Sequence, residues 1–254
     1  MTPATYAVSD VHGHVAELRS VLSATGLTDA AGQWTGGRST LWFLGDYIDR
    51  GPSGLAVIDL VIGLQAGAAA AGGRVGALLG NHEVQFLAAH RFGSEPVPAL
   101  APYSDWHSGW RAFGGRQTDL DGLQRHHLDW LTGLPALARH NEVLLMHSDT
   151  DRYLEFGATI DVVNIETARV LRSADVDDWV RLCDVLSSRR AFLNGKLDRV
   201  LTTYEVDQVV HGHSTLTKHF GLRSPSRPYR YADRRATAID GGVFDGGALL
   251  LATL

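Results

Sequence analysis

The 254-residue chain has one cysteine, Cys183, so no internal disulfide can form and nothing in the fold calls for an oxidising compartment. It lies in the apolar helical stretch Val180-Arg181-Leu182-Cys183-Asp184-Val185-Leu186 and reads as an inert core thiol. Charge is sparse too. Asp, Glu, Lys and Arg make up 20% of the residues and the formal net charge is −5. That balance argues against stable nucleic-acid binding and against adhesion to an anionic membrane. Long apolar runs are missing. The most apolar stretch, residues 54–71, holds Asp59 and Gln65 between Pro52 and Gly72-Gly73, and reads as a buried helix rather than a membrane span. The opening Met1-Thr2-Pro3-Ala4-Thr5-Tyr6 shows no basic region followed by an apolar one, so the expected location is the cytoplasm. A hydrophobic fraction of 44% excludes disorder. No internal repeat or linker is visible, and residues 1–254 are expected to form one domain.

Short apolar runs alternate with longer helical patterns. Residues 6–9, 41–44 and 75–79 read as strands, and helices are expected over 15–22, 52–71 and 83–91. This β-α-β-α-β order predicts parallel strands covered by helices. Residues 92–118 are irregular, 122–133 and most of 161–201 read as helical, and 142–146 and 206–210 as strands. Residues 237–239 and 248–253 read as two closing strands joined by a glycine-rich run.

Twelve histidines are present, and their placement matters more than their number. Polar residues gather where strands end: Asp10-Val11-His12, Gly45-Asp46-Tyr47-Ile48-Asp49-Arg50-Gly51, Gly80-Asn81-His82-Glu83, His147 and Gly212-His213. In open α/β sheets ligands bind at the carboxyl ends of strands. Oxygen and imidazole donors without thiolate suit Mn, Fe, Zn, Ni or Mg. Each block alone has a bland explanation as a turn or a cap. The five together, in this order, point to a metal centre that handles phosphate.

These blocks resemble the calcineurin-like metallophosphoesterases, and more narrowly the branch holding Ser/Thr-type phosphoprotein phosphatases and symmetrical diadenosine tetraphosphate hydrolases. Trp110-x-x-x-Gly114-Gly115, residues 127–135 ending in Leu134-Pro135, and residues 239–249 extend the resemblance over nearly the whole chain. It implies an α/β fold of two packed mixed sheets flanked by helices, and two divalent ions, Mn foremost. Asp10 and His12 would hold the first ion, Asp46 would bridge, and Asn81, His147 and His213 would hold the second. A hydroxide on the ions would attack phosphorus directly. His82 would protonate the leaving group, with Asp49 fixing its tautomer and raising its pKa, and Arg50 would fork onto phosphate oxygens. A second phosphate-binding arginine is assigned to Arg189, in Arg189-Arg190-Ala191-Phe192-Leu193, with Arg172 as rival.

Three departures stand out. Ser148-Asp149 follow His147 where the family has small residues, His14 stands where it often has Asn, and His211 is an extra imidazole read as a packed strand residue. Between His213 and the closing strands lies an arginine-rich loop with Arg223, Arg227, Arg230, Arg234 and Arg235. In the family this connection borders the site, so the loop is a candidate grip for an extended substrate. Segments 92–118 and 150–200 are candidate cleft walls. The expected activity is hydrolysis of phosphate monoesters, on a phosphoprotein or a small metabolite. A dinucleoside polyphosphate hydrolase is the alternative, and a binding module on the same fold the non-enzymatic one.

Overall fold

The computed structural model describes residues 3–254. Strand β1 (Thr5–Val8) leads through helix α1 (Val15–Ala24) to β2 (Thr40–Phe43), then through α2 (Gly54–Ala70) to β3 (Arg74–Ala77). Helices α3 (Asn81–Phe92), α4 (Trp106–Ala112), α5 (Gln117–Asp121) and α6 (Arg125–Thr132) precede the antiparallel pair β4 (Leu137–His140) and β5 (Val143–Met146). Helices α7 (Ile160–Val170), α8 (Val176–Ser187) and α9 (Leu197–Tyr204) lead to β6 (Gln208–His211). Helix α10 (Leu216–Phe220) and strands β7 (Tyr229–Tyr231), β8 (Ala236–Ala238) and β9 (Leu251–Thr253) come last.

The strands form two mixed sheets, ordered β3-β2-β1-β9 and β4-β5-β6-β8-β7. β1, β2 and β3 run parallel with β9 antiparallel at one edge, and β5, β6 and β8 run parallel between antiparallel β4 and β7. Alternation along each strand divides the core. Ala7, Trp42, Leu145, Val210 and Ala252 pack between the sheets, while Val8, Phe43, Leu144 and Val209 belong to the cluster shared with the helices. Strands buried on both faces have no polar side, which is why they read as continuous apolar runs. The helices fit the same logic. α2 is apolar nearly all round and buries Val57, Ile58, Leu60, Val61 and Leu64. α9 buries Leu197, Val200, Leu201 and Tyr204, a stripe at helical spacing. Among the described residues no helix is long and apolar enough to cross a membrane.

The two closing strands do not pair with each other. β8 lies in the five-stranded sheet and β9 in the four-stranded one, so residues 240–247 carry the chain from one sheet to the other. Glycines suit that crossing, because a Cβ at Gly247 would strike the Gly241 carbonyl. β4 was not expected. It is an edge strand with half-exposed Ala138 and exposed Arg139, so its pattern gives little signal.

Candidate metal centre

Asp10 and His12 follow β1, Asp46 follows β2, Asn81 opens α3 after β3, His147 follows β5 and His213 follows β6. The chain must turn sharply at these ends to bring the side chains to one place. Asp10, His12, Asp46, Asp49, Arg50 and His213 all take left-handed backbone, with φ between 45° and 66°. Non-glycine residues adopt this region at a cost that surrounding structure must over-determine, and such strain gathers at functional sites. Gly45, at φ 94°, shows how tight the approach is: a Cβ there would lie 2.7 Å from Gly80 Cα and 2.9 Å from His147 Nδ1.

Two groups of buried donors share Asp46. One ligand atom from each of Asp10, Asp46, His147 and His213 lies within 4.8 Å of the others, and the same holds for His12, Asp46 and His82. The Asp46 oxygens divide between them. Oδ1 is 3.4 Å from His147 Nε2, and Oδ2 is 3.4 Å from His12 Nε2 and 4.0 Å from His82 Nε2. By proximity Asp10 falls with His147 and His213 rather than with His12 alone, and its carboxylate accepts the His213 N–H at 2.9 Å.

The ring tautomers leave lone pairs pointing inward. His12 gives its Nδ1 proton to the Ile48 carbonyl at 2.9 Å, and its buried Nε2 has no hydrogen-bond partner. His147 gives its Nδ1 proton to the Leu44 carbonyl at 2.8 Å, while Nε2 faces the Asn81 oxygen at 2.9 Å. Burial is the main reason that His12, His147 and His213 sit below the ordinary imidazole pKa, so these rings are neutral. Burial, and next the Asp10 carboxylate, pushes Asp46 and Asp240 well above the carboxylate range. Orphaned nitrogen lone pairs beside crowded carboxylates are what a divalent cation relieves. The donor set of oxygen and imidazole nitrogen fits hard or borderline divalent metal ions.

His82 sits at the edge of this cluster. Its Nδ1 is 2.8 Å from Asp49 Oδ2 and its Nε2 is 3.0 Å from the Arg50 guanidinium. Asp49 is fully buried, and its other oxygen accepts the Trp110 indole N–H at 2.8 Å. Burial raises Asp49 to about 7, with the Trp110 bond opposing. The expectation that Asp49 raises the His82 pKa is not met. Burial first and then the Arg50 charge hold the ring well below its usual value.

Arg50 stands over the Phe244 ring, 3.8 Å from its centroid, and its backbone N–H is tied to the Gly114 carbonyl at 2.8 Å. Arg189 extends from the end of α8 to His213 and His219, at 2.9 and 3.0 Å. Arg50, Phe113 and Arg189 line two clefts at once. One, of ≈ 430 Å³, is reached by Asp10, Asp46, His213, Lys218 and His219; the other, of ≈ 730 Å³, by Asn81 and His82. Residues from within 92–118 and 150–200 wall the larger cleft.

Other candidates lie elsewhere. Arg172 is exposed on the end of α7, bonded to the Ala168 carbonyl, and lines neither cleft. His14 precedes α1, 3.7 Å from Glu17. His211 is buried against the Tyr231 hydroxyl at 2.8 Å. The arginine-rich loop does not border the site. Arg235 pairs with Asp198, and Arg227 and Arg230 line a separate cleft beside β9, because β7 places this stretch at the far edge of its sheet. Cys183 lines the larger cleft without full burial, and burial lifts its thiol to about 11.

Four side chains with a clear part in the site carried no assigned role in the sequence. Glu83 takes the backbone N–H groups of Asp46 and Tyr47 at 2.8 Å and of Gly80 at 3.0 Å, bracing the turn that carries Asp46. Trp110 and Phe244 support Asp49 and Arg50. Asp149 accepts the Ser214 hydroxyl at 2.5 Å and the Arg190 N–H at 2.9 Å, joining the His147, Arg189 and His213 segments. Glu83 closes the Gly-Asn-His-Glu block and Trp110 opens the Trp…Gly-Gly block, so position in a motif was the available signal for both.

A profile of the family described as calcineurin-like phosphoesterase matches residues 4–215. The chain belongs to that family. It is 31% identical over 186 residues to a symmetrical bis(5'-nucleosyl)-tetraphosphatase of Vibrio cholerae, covering 73% of this chain and 57% of that protein. It is 29% identical over 120 residues to Shewanella-like protein phosphatase 2 of Arabidopsis thaliana, covering 47% and 30%. The chain thus spans less than two thirds of either relative. Among solved structures, the cold-active protein-tyrosine phosphatase of a psychrophilic Shewanella species superposes with a TM-score of 0.75 at 21% identity, over 99% of this chain and 75% of that one. That likeness concerns the fold.

Proposed function

We propose that this calcineurin-like phosphoesterase is a metal-dependent phosphomonoesterase working in the cytoplasm, with residues 1–254 acting as one unit. The observation that carries the reading is Asp46, whose two oxygens face separate groups of buried donors, 3.4 Å from His147 on one side and 3.4 Å from His12 on the other. Asp10, His12, Asp46, Asn81, His147 and His213 would hold two divalent ions, Mn foremost. Such ions supply Lewis acidity toward phosphoryl oxygens and a nucleophilic water at neutral pH. Arg50 and Arg189 orient the phosphate between the two clefts, and the Phe244 ring beneath Arg50 holds its guanidinium flat. Asp49 accepts the Nδ1–H of His82 and fixes the ring so that a proton carried at Nε2 is offered to the departing oxygen. Tested on purified Mn-loaded protein, His82→Asn should keep its metal and lose about 10²–10⁴-fold in kcat on an alkyl phosphate. The loss should shrink with leaving groups that depart without a proton. Wild-type turnover, or loss of metal, would contradict the acid role.

A second reading, dinucleoside polyphosphate hydrolysis, draws on the Vibrio cholerae relative and on Lys218 and His219, which add basic groups beside Arg189 in the smaller cleft. Diadenosine tetraphosphate belongs in the same assay. A higher kcat/KM for it than for any monoester would favour this second reading.

A further inference from the structure

The two clefts meet at the phosphate position but differ in what reaches them. Asp10, Asp46 and His213 open onto the smaller one, whereas His82 opens only onto the larger. In an in-line displacement the leaving group departs opposite the nucleophile, and the acid must stand on the leaving-group side. The larger cleft is therefore where the leaving group lies, an inference that rests on the acid role of His82 proposed above.

Its walls are aromatic. Tyr103, Trp106, Trp110 and Phe113 face Val180 of α8 across the gap, with Leu100 at the end. Phe113 stands at the lip with 47% of its surface exposed, its ring edge-on to Tyr103 at 5.5 Å. The rim is poor in free positive charge. Arg181 turns onto the Phe156 ring and the Glu155 carbonyl, Asp184 is held by Arg152, and Asp177 is exposed. A polyphosphate leaving group would meet Asp177 there, with Arg50 and Arg189 already taken up by the reacting phosphate. A neutral flat ring would instead bury against Tyr103, Phe113 and Val180.

We propose that the cleft between α4 and α8 is a leaving-group subsite for aromatic alcohols, so that the preferred substrates are aryl phosphate monoesters. Two esters separate this from simple reactivity: 2-naphthyl phosphate and hexafluoroisopropyl phosphate, whose alcohols have comparable acidity. The wild-type enzyme should favour the naphthyl ester by about 10- to 100-fold in kcat/KM, the worth of burying one aromatic ring. The variant Tyr103→Ala should lose most of that preference through KM and keep its rate on the fluorinated ester. Val180→Trp, which fills the cleft from the opposite wall, should do the same should the alanine variant fold poorly. Equal kcat/KM for the two esters in the wild type overturns the subsite, as does a preference that survives the folded variants. If neither ester is hydrolysed, the phosphoesterase reading falls on its own. The subsite is then decided by titrating the wild type and variants with 2-naphthol. Saturable shifts of the Trp106 and Trp110 indole signals that weaken in the variants support it, and their absence overturns it.

Discussion

Trp110→Phe isolates one hydrogen bond in the chain that controls the His82 proton. The indole N–H donates to Asp49 Oδ1 at 2.8 Å, and Asp49 Oδ2 meets His82 Nδ1 at 2.8 Å. Burial lifts Asp49 to about 7, against the indole bond first and the Arg50 charge next. Phenylalanine keeps a ring in the same wall and removes only the donor and part of the volume. A hydrogen bond to a charged group is worth about 1.5–3 kcal/mol. At about 1.4 kcal/mol per pH unit, its loss should move the Asp49–His82 pair upward by about 1–2 units. Asp49 has to be ionised to retain the Nδ1 proton, so the acid limb of the kcat profile should shift alkaline by that amount.

The assay is kcat against pH on an alkyl phosphate, which needs the proton and makes little use of the aromatic wall. The stability consequence carries its own sign. A buried carboxyl raised in the folded state contributes stability that is full below the ordinary carboxylate range and is lost as pH rises through about 7. In the variant that loss should extend to higher pH. A profile that keeps its acid limb while kcat falls at every pH would refute the reasoning, because it would mean that the indole acts by packing alone.

Asp46→Asn should lower occupancy by both ions and remove nearly all turnover while the melt without metal stays close to wild type, checked by elemental analysis and circular dichroism. Asp119 is buried, its Oδ2 has no partner, and burial raises it to about 6. Ionising it costs stability as pH rises from the ordinary carboxylate range through that value, so Asp119→Asn should melt about 2–5 °C above wild type at pH 7.5, with the gap closing in acid. Replacing Arg227, Arg230, Arg234 and Arg235 together with alanine should leave KM unchanged for both an aryl phosphate and diadenosine tetraphosphate. A raised KM for the tetraphosphate would return this loop to the site.

The strand ends could be read because they follow from local pattern. A buried parallel strand is a short apolar run, and a polar residue at its carboxyl end stands out against it, as Asp10, Asp46 and His147 do. What holds those residues in place involves partners far apart in the chain. Trp110 reaches Asp49 across 61 positions, and Glu83 reaches back 37 to the Asp46 N–H. Neither distance has a period, so only a motif match marked these residues, without a role. The arginine-rich loop misled for the opposite reason. Its charge density suggested phosphate, but β7 pairs antiparallel with β8 at the sheet edge, and strand pairing decides where the side chains go.

Asp149 turns a departure from the family pattern into a structural argument. Small residues after His147 would leave the Arg189–Arg190 turn and the Ser214 loop without a common partner. Here one buried carboxylate takes the Ser214 hydroxyl and the Arg190 N–H, while its own carbonyl takes the Ala191 N–H at 3.0 Å. Arg190 accordingly adopts φ 65°, a strained turn that this bond can hold. The turn aims Arg189 at His213 and at the junction of the two clefts. The position of Arg189 in this chain is therefore set from the His147 strand end as well as from α8, and Asp149 ties that arginine to the His147 and His213 segments.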